Sequence, residues 1–411
     1  MDIENFLPNF REWKKQIEDK LQGQNQDNQN HNDLAKCNIL LIGKTGVGKS
    51  TLINTIFRTS LAPEGAGKPM TGKLTKYEQT GCPIIAFDSR GLELTNDLPN
   101  ENSIHSNQED VRNLIQGNHV EFPSVIIDVI YYCISSGSDR FEDIEENWIT
   151  SLIQYKIPII IVITKTAKKP EFSNLFKAIK DRTTIKNNEL KSLVHCITEE
   201  KEIIIDRKDI VPVIPILALE EKISDDYTFP PQNLDLLVRQ TACLLEKQAK
   251  QTFISEQVAS IDLKIQEAQK LTAVYTSVAS ILALNPVIPI SGTILPPTQL
   301  LMLKRISSIF GLKQEEQELL LSPEFQQFAG AILTTGASTI LTSLIPVVGS
   351  INDALVAGTS TSLLCLAWID TLKRHSLRLV DEKTLTEEEI RIFIKIFEEE
   401  YKKYCINTNC P

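Results

Sequence analysis

Residues 43–51 read GKTGVGKST, directly after the apolar run CNILLI. The spacing fits G-x-x-x-x-G-K-[ST], with a strand-like run before it and the helix-like STLINTIF after it. Glycines at 43, 46 and 48 let the backbone curl so that its N–H groups point inward at an anion. A helix starting at once adds the partial positive charge of its N-terminus. Lys49 is then placed to reach β- and γ-phosphates, and the Ser50 hydroxyl to ligate a divalent ion. A chain of this size meets the pattern by chance on the order of once in a hundred. The chemistry is the holding of a nucleoside triphosphate. Gly43, Lys44, Thr45, Gly46, Val47, Gly48, Lys49, Ser50 and Thr51 form the cradle.

Two later stretches supply what a triphosphate site needs beyond its cradle. PIIAFDSRGLE contains D-x-x-G, which sets Asp88 to hold Mg²⁺ through water and the Gly91 N–H to meet the γ-phosphate. Before it, EGAGKPMTGKLTKY offers Thr71 as a further Mg²⁺ ligand, with Thr75 the alternative. Mg²⁺ would therefore rest on Ser50, Thr71 and Asp88, while Lys49, Thr71 and Gly91 face the reacting phosphate.

The elements that must position these residues follow from hydrophobic patterning. NILLIG (38–43), PIIAFDS (83–89), VIIDVIYYCIS (125–135), IPIIIVITK (157–165) and VPVIPIL (211–217) are strand-length apolar runs that alternate with helical stretches. Near-continuous apolar strands imply a mostly parallel sheet covered on both faces, the α/β class. KLTKYEQT reads as an antiparallel neighbour of the second run. Four regions are expected: an amphipathic helix over 1–22, a polar linker over 23–36, a P-loop domain over 37–232 and an all-α region over 233–411. In the last region Ile254, Val258, Ile261, Ile265, Ala268, Leu271, Tyr275, Val278 and Leu282 step by threes and fours, the seam of one long helix. Thr386 and Glu389 form a capping box for a final helix.

In this order GKTGVGKST, the Thr71 loop, FDSRGLE, VIYYCISSGSDRF and IPIIIVITK resemble an Era-like, translation-factor-class GTPase domain. ALNPVIPISG, LLMLKRISSIFG and IPVVGSINDALVAGTS are similar to the helical YcjF-type domain that follows such domains in some proteins. The first resemblance implies GTP and GDP as ligands, a role as a molecular switch, and side-by-side homodimers of the G domain as one mode of assembly. It also implies base contacts from Thr164, Lys165 and the backbone N–H of Ala218.

The chain departs from that family at named positions. Ala167 stands where a carboxylate would accept two hydrogen bonds from guanine, with Glu171 a substitute four residues on. Leu217 replaces the usual serine before Ala218, and Gly46 stands at the asparagine of potassium-assisted members. Leu92 follows D-x-x-G, as in the resembled family, and orients no water. Arg90 and Arg140 are candidate charge stabilisers or surface ion-pair partners. Hydrolysis is therefore expected to be slow, on the order of 10⁻⁴ to 10⁻² per second. The identity of the base, guanine or adenine, stays open at this level.

A net charge of -10 in 411 residues argues against a nucleic-acid-coating surface. Eight cysteines fit neither a zinc site nor a disulfide framework, and the opening MDIENFLPNFREWKK has no secretory core, so a cytoplasmic protein is expected. Residues 271–303 and 325–352 carry no charge, yet they are broken by prolines and diluted by Ser, Thr and Gln. Residues 233–411 then read either as a soluble bundle that binds a protein effector or as a hairpin that meets membrane lipid. Three functional readings stand: a slow GTPase switch, a nucleotide-binding scaffold, and an ATP-using P-loop enzyme.

Overall fold

The apolar runs form the centre of a seven-stranded sheet in the order β2-β3-β1-β4-β5-β7-β6. The structure is a computed structural model. It describes residues 35–57, 61–62, 74–89, 101–138, 141–167, 175, 177–179, 194–196, 204–208, 210–224, 227–283, 297–330, 350–376 and 387–407. In chain order the elements around the sheet are β1 (Cys37–Ile42), α1 (Lys49–Phe57), β2 (Thr75–Gln79), β3 (Cys82–Asp88), α2 (Glu101–Ile115), β4 (Val129–Ser135) and α3 (Asp143–Ile153). They continue as β5 (Ile159–Thr164), β6 (Val194–Cys196), β7 (Val211–Pro215), β8 (Glu221–Ser224), β9 (Tyr227–Phe229), α4 (Leu234–Leu244) and α5 (Lys247–Glu256). Within the seven-stranded sheet every pairing is parallel except that of β2 with β3, the antiparallel neighbour expected from KLTKYEQT, while β8 and β9 form a separate antiparallel pair.

The side-chain period of two sorts each strand between two apolar layers. Leu40, Ile42, Phe87, Ile130 and Tyr132 join Trp148, Ile149 and Leu152 of α3 in one layer. The neighbours Ile39, Leu41 and Tyr131 are equally buried and serve the other. On that face the Tyr131 hydroxyl and Thr241 of α4 share a hydrogen bond of 2.8 Å, and α5 packs on β1 and β3. Phe253 of α5 meets Phe57 of α1 edge-on, their centroids 5.6 Å apart.

Compact units divide at Ser260 and Ile261, so α4 and α5 belong with the sheet, whereas sequence patterning opens the helical region at 233. Burying the second sheet face requires them there. The single long helix expected across Ile254 to Leu282 is two. Gln257 Nε2 donates to Ser260 O and Gln257 Oε1 accepts from Ser260 N, both at 2.8 Å. This local side-chain clasp replaces the helical ladder. Val258 N instead donates to Ile56 O at the carboxyl end of α1, at 2.8 Å.

The helical unit contains α6 (Ile261–Ala283), α7 (Pro297–Ile309), α8 (Gln314–Leu320), α9 (Ser350–Ser376) and α10 (Glu387–Asn407). Residues 323–330 are also helical. α6 and α9 pack most closely, and a side chain at Gly358 would bring its Cβ to 2.2 Å from Ser280 Oγ. Trp368, Phe325, Phe393 and Phe397 fill the core, and Trp368 Nε1 donates to Ser307 Oγ at 3.0 Å. Among the described residues no helix is long and apolar enough to cross a membrane. Residues 1–34, which include the expected 1–22 helix and most of the 23–36 linker, the stretches IPISG and IPVVG, and Thr386 lie outside the described residues; Ala35 and Lys36 are exposed.

Candidate functional site

β1 ends at Ile42 and α1 begins at Lys49, so residues 43–48 must reverse the chain at the carboxyl edge of the sheet. Gly43 has φ +149°, and a Cβ there would stand 2.3 Å from the backbone oxygen of Cys133 in β4. Only glycine lets the loop leave β1 this close to its neighbour. At Gly46, with φ +76°, a Cβ would meet nothing within 4 Å, so the tip of the loop is open. A concave turn of backbone with an open mouth, running into a helix N-terminus, fits a phosphate chain.

Lys49 is 7% exposed and folds back over the loop: its Nζ donates to Gly43 O at 2.8 Å and Lys44 O at 3.1 Å. Asp88, the last residue of β3, brings Oδ1 to 3.5 Å from the same ammonium. Ser89 N and Oγ both donate to Leu41 O, fixing the end of β3 against β1. Ser50 and Thr51 follow in the first turn of α1, half-buried, so Ser50, Asp88 and Lys49 are brought to one edge of the sheet. Among the described residues no cluster of His, Cys, Asp and Glu is built for a metal ion. A hydroxyl and one carboxylate suit Mg²⁺, which takes few protein ligands and completes its shell with phosphate oxygens and water.

Thr164 and Lys165, expected from the sequence to meet the base, brace the same loop. Thr164 Oγ1 donates to Val47 O at 2.6 Å, and Lys165 Nζ to Gly46 O at 2.7 Å. Lys165 adopts φ +60°, and its carbonyl accepts from Ser136 Oγ at 2.5 Å. Thr166 N donates to Ile216 O at 3.3 Å, which brings the 164–167 turn beside the loop carrying Ala218. Ala167 is buried and Ala218 half-exposed.

Beneath the cradle, burial pushes the Cys133 thiol up to about 12, with Lys49 pulling it down and Asp88 pushing it up. It is a packing residue, not a nucleophile. Thr71, Gly91, Arg90, Leu92, Arg140 and Glu171 lie outside the described residues. Thr75, the alternative to Thr71, pairs in register with Asp88 across β2 and β3.

Sequence reasoning missed two members. Ser136 lies in SSGS after β4, and Glu142 accepts from Lys44 Nζ at 2.7 Å. The signal for Glu142 was local: an acid preceding a helix, with Glu145 three residues on.

The family model described as "50S ribosome-binding GTPase" matches residues 38–165, from β1 through the braced Lys165. This part of the chain is a P-loop GTPase domain. Translocases of chloroplast 101 and 108 of Physcomitrium patens are each 43% identical to this chain over 58 residues, 14% of this chain and 6% of their own length. Among solved structures, a probable GTP-binding protein engB is 18% identical, with 44% of this chain and 89% of that one covered at a TM-score of 0.29. Era of Aquifex aeolicus bound to GDP and AlF4- is 16% identical, with 59% and 67% covered at 0.31.

Proposed function

We propose that the chain is a guanine-nucleotide switch of the Era-like class. It binds GTP and GDP with Mg²⁺, hydrolyses GTP slowly, and passes its state to the helical region that follows. The observation that carries the reading is the meeting of Lys49, the Gly43–Gly48 turn and Asp88 at one sheet edge, braced by Thr164 and Lys165. In this reading the backbone N–H groups and Lys49 bind the phosphates, and Thr71 and Gly91 close over the γ-phosphate from their sequence positions. Ser50, Thr71 and Asp88 would hold Mg²⁺, whose charge offsets that of the β- and γ-oxygens. With Leu92 after Gly91, no side chain there orients water, which supports slow turnover.

The bond from Val258 N to Ile56 O supports an output path, because it ties the end of the P-loop helix to the turn that leads into α6. We assign α6 to α10 to a YcjF-type effector module that meets a protein partner or membrane lipid; the chloroplast translocase relatives are a reason to test lipid. A homodimer through the G domain is part of the same proposal. Ala167, apolar and buried, favours a second reading in which ATP is also accepted.

Titration with GTP and ATP, and single-turnover hydrolysis, on wild type and Lys49→Ala separates these readings. The switch requires that Lys49→Ala lose triphosphate binding at least about a hundredfold and that GTP turn over in the wild type. Equal hydrolysis by both proteins rejects the switch, and tighter ATP than GTP binding rejects the guanine assignment. Flotation of the full chain with anionic and neutral vesicles decides between lipid and protein partners.

A further inference from the structure

Glu142 stands at the end of a short chain of contacts that reaches the phosphate-binding lysine. Its Oε1 accepts from Lys44 Nζ at 2.7 Å, and the Lys44 carbonyl accepts from Lys49 Nζ at 3.1 Å. Lys44 is thereby held at both ends, by its side chain to α3 and by its backbone to the buried cation. Glu142 is itself fixed as the N-cap of α3. Its N–H donates to Glu145 Oε2 at 3.0 Å, and its carbonyl accepts from the N–H groups of Glu145 and Glu146. Its second oxygen, Oε2, is buried without a hydrogen-bond partner, and Lys44 is the cation paired with this half-buried carboxylate.

We propose that Glu142 is a positioning residue for nucleotide binding, acting through Lys44 to hold the phosphate loop and Lys49 in their receptive arrangement. The inference rests on the triphosphate reading above. Phosphate affinity in such a loop comes from backbone N–H groups already converged, so any freedom given to Lys44 must be frozen out when phosphate arrives. The start of α3 therefore sets how long a nucleotide stays bound.

Positioning and simple electrostatics predict different signs. The pair is neutral overall, so removing the carboxylate leaves an added positive charge near the phosphates, and removing the ammonium leaves an added negative one. Electrostatics alone then tightens binding in Glu142→Gln and weakens it in Lys44→Met. Positioning loosens both, and the double variant is no worse than either single one because both act through one contact.

The test loads full-length protein with a fluorescent GDP in Mg²⁺ buffer and follows release into excess unlabelled GDP. The expected result is release roughly three- to tenfold faster in Glu142→Gln and in Lys44→Met, no further gain in the double variant, and recovery toward wild type in Glu142→Asp. Nucleotide-free unfolding midpoints should stay within a few degrees of each other, which separates positioning from a general loss of stability. Slower or unchanged release in Glu142→Gln, or additive effects in the double variant, overturns the proposal. Should Glu142→Gln not fold, Glu142→Asp and Lys44→Met carry the comparison, and wild-type rates in both overturn it. A wild type that retains no labelled nucleotide rejects the underlying triphosphate reading instead.

Discussion

Thr164 donates its hydroxyl to the carbonyl oxygen of Val47 at 2.6 Å, joining the carboxyl end of β5 to the phosphate loop across 117 positions of sequence. The same hydroxyl lies 3.3 Å from Ile134 O, so one buried oxygen joins three segments of the site. With Lys165 on Gly46 O and Ser136 on Lys165 O, the 164–167 turn and the 43–48 loop are one braced body. A rearrangement of the 164–167 turn reaches the 43–48 loop through hydrogen bonds rather than through a hinge.

Thr164→Val keeps the volume and removes the hydroxyl, leaving Val47 O buried without its donor. Urea unfolding should show a loss of about 1–3 kcal/mol, with faster nucleotide release. Unchanged release at reduced stability would mean that the bond supports the fold alone.

Gly43→Ala places a methyl group 2.3 Å from the Cys133 carbonyl at a φ that favours glycine. Backbone on both sides leaves no flexible partner to yield. The expected cost is about 2–4 kcal/mol, seen as a lower denaturant midpoint, together with loss of nucleotide binding. Gly46→Ala makes the comparison: its space is open, so only its positive φ is strained, and the cost should be nearer about 1 kcal/mol.

Asp128 supplies a pH signature. Burial raises its carboxyl above the ordinary value of 3.8, against the pull of the Asn38 N–H donated to Oδ2. The folded state therefore holds the proton more tightly than the unfolded state. Its contribution is fully present below the unfolded value and is lost as pH rises through the folded one. Asp128→Asn does not titrate, so its stability relative to wild type should increase as pH rises from the ordinary carboxylate value through the raised folded one, and then level off. A relative stability that falls over that window would show that the Asn38 bond outweighs burial.

Trp368→Ala tests the helical core. The indole is fully buried against Phe325, Phe393 and Phe397, and its N–H is satisfied by Ser307. Truncation should cost about 3–5 kcal/mol, read by far-UV circular dichroism in urea. Fluorescent GDP binding by the sheet-bearing unit should persist.

Much of the site was legible because its signals are local. A glycine-rich turn must lie between a strand and a helix to work on phosphate, and GKTGVGKST carries both flanks within a few residues. The strands were legible because continuous Ile, Val and Leu can be stable only with both faces covered. Asp88 could be placed because it ends one of those runs, and Thr164 and Lys165 because they end another.

Other features had no local signal. β6 has three residues, and β8 and β9 form a short hairpin, lengths at which a strand is defined by its partner more than by its pattern. The threes-and-fours spacing across Ile254 to Leu282 continues through a break that Gln257 and Ser260 make with their own hydrogen bonds. α4 and α5 cover the sheet although their composition resembles the helices that follow.

The sequence by itself determined the phosphate loop, its lysine and the layered α/β architecture, because these depend on residue type over one strand, one turn and one helix. Tertiary structure alone decided that Glu142 reaches Lys44 across 98 positions and that Val258 caps Ile56, because such pairs exist only after the sheet has stacked distant segments side by side. A hydrogen bond acts over about 3 Å, and nothing in the composition of either segment names its partner.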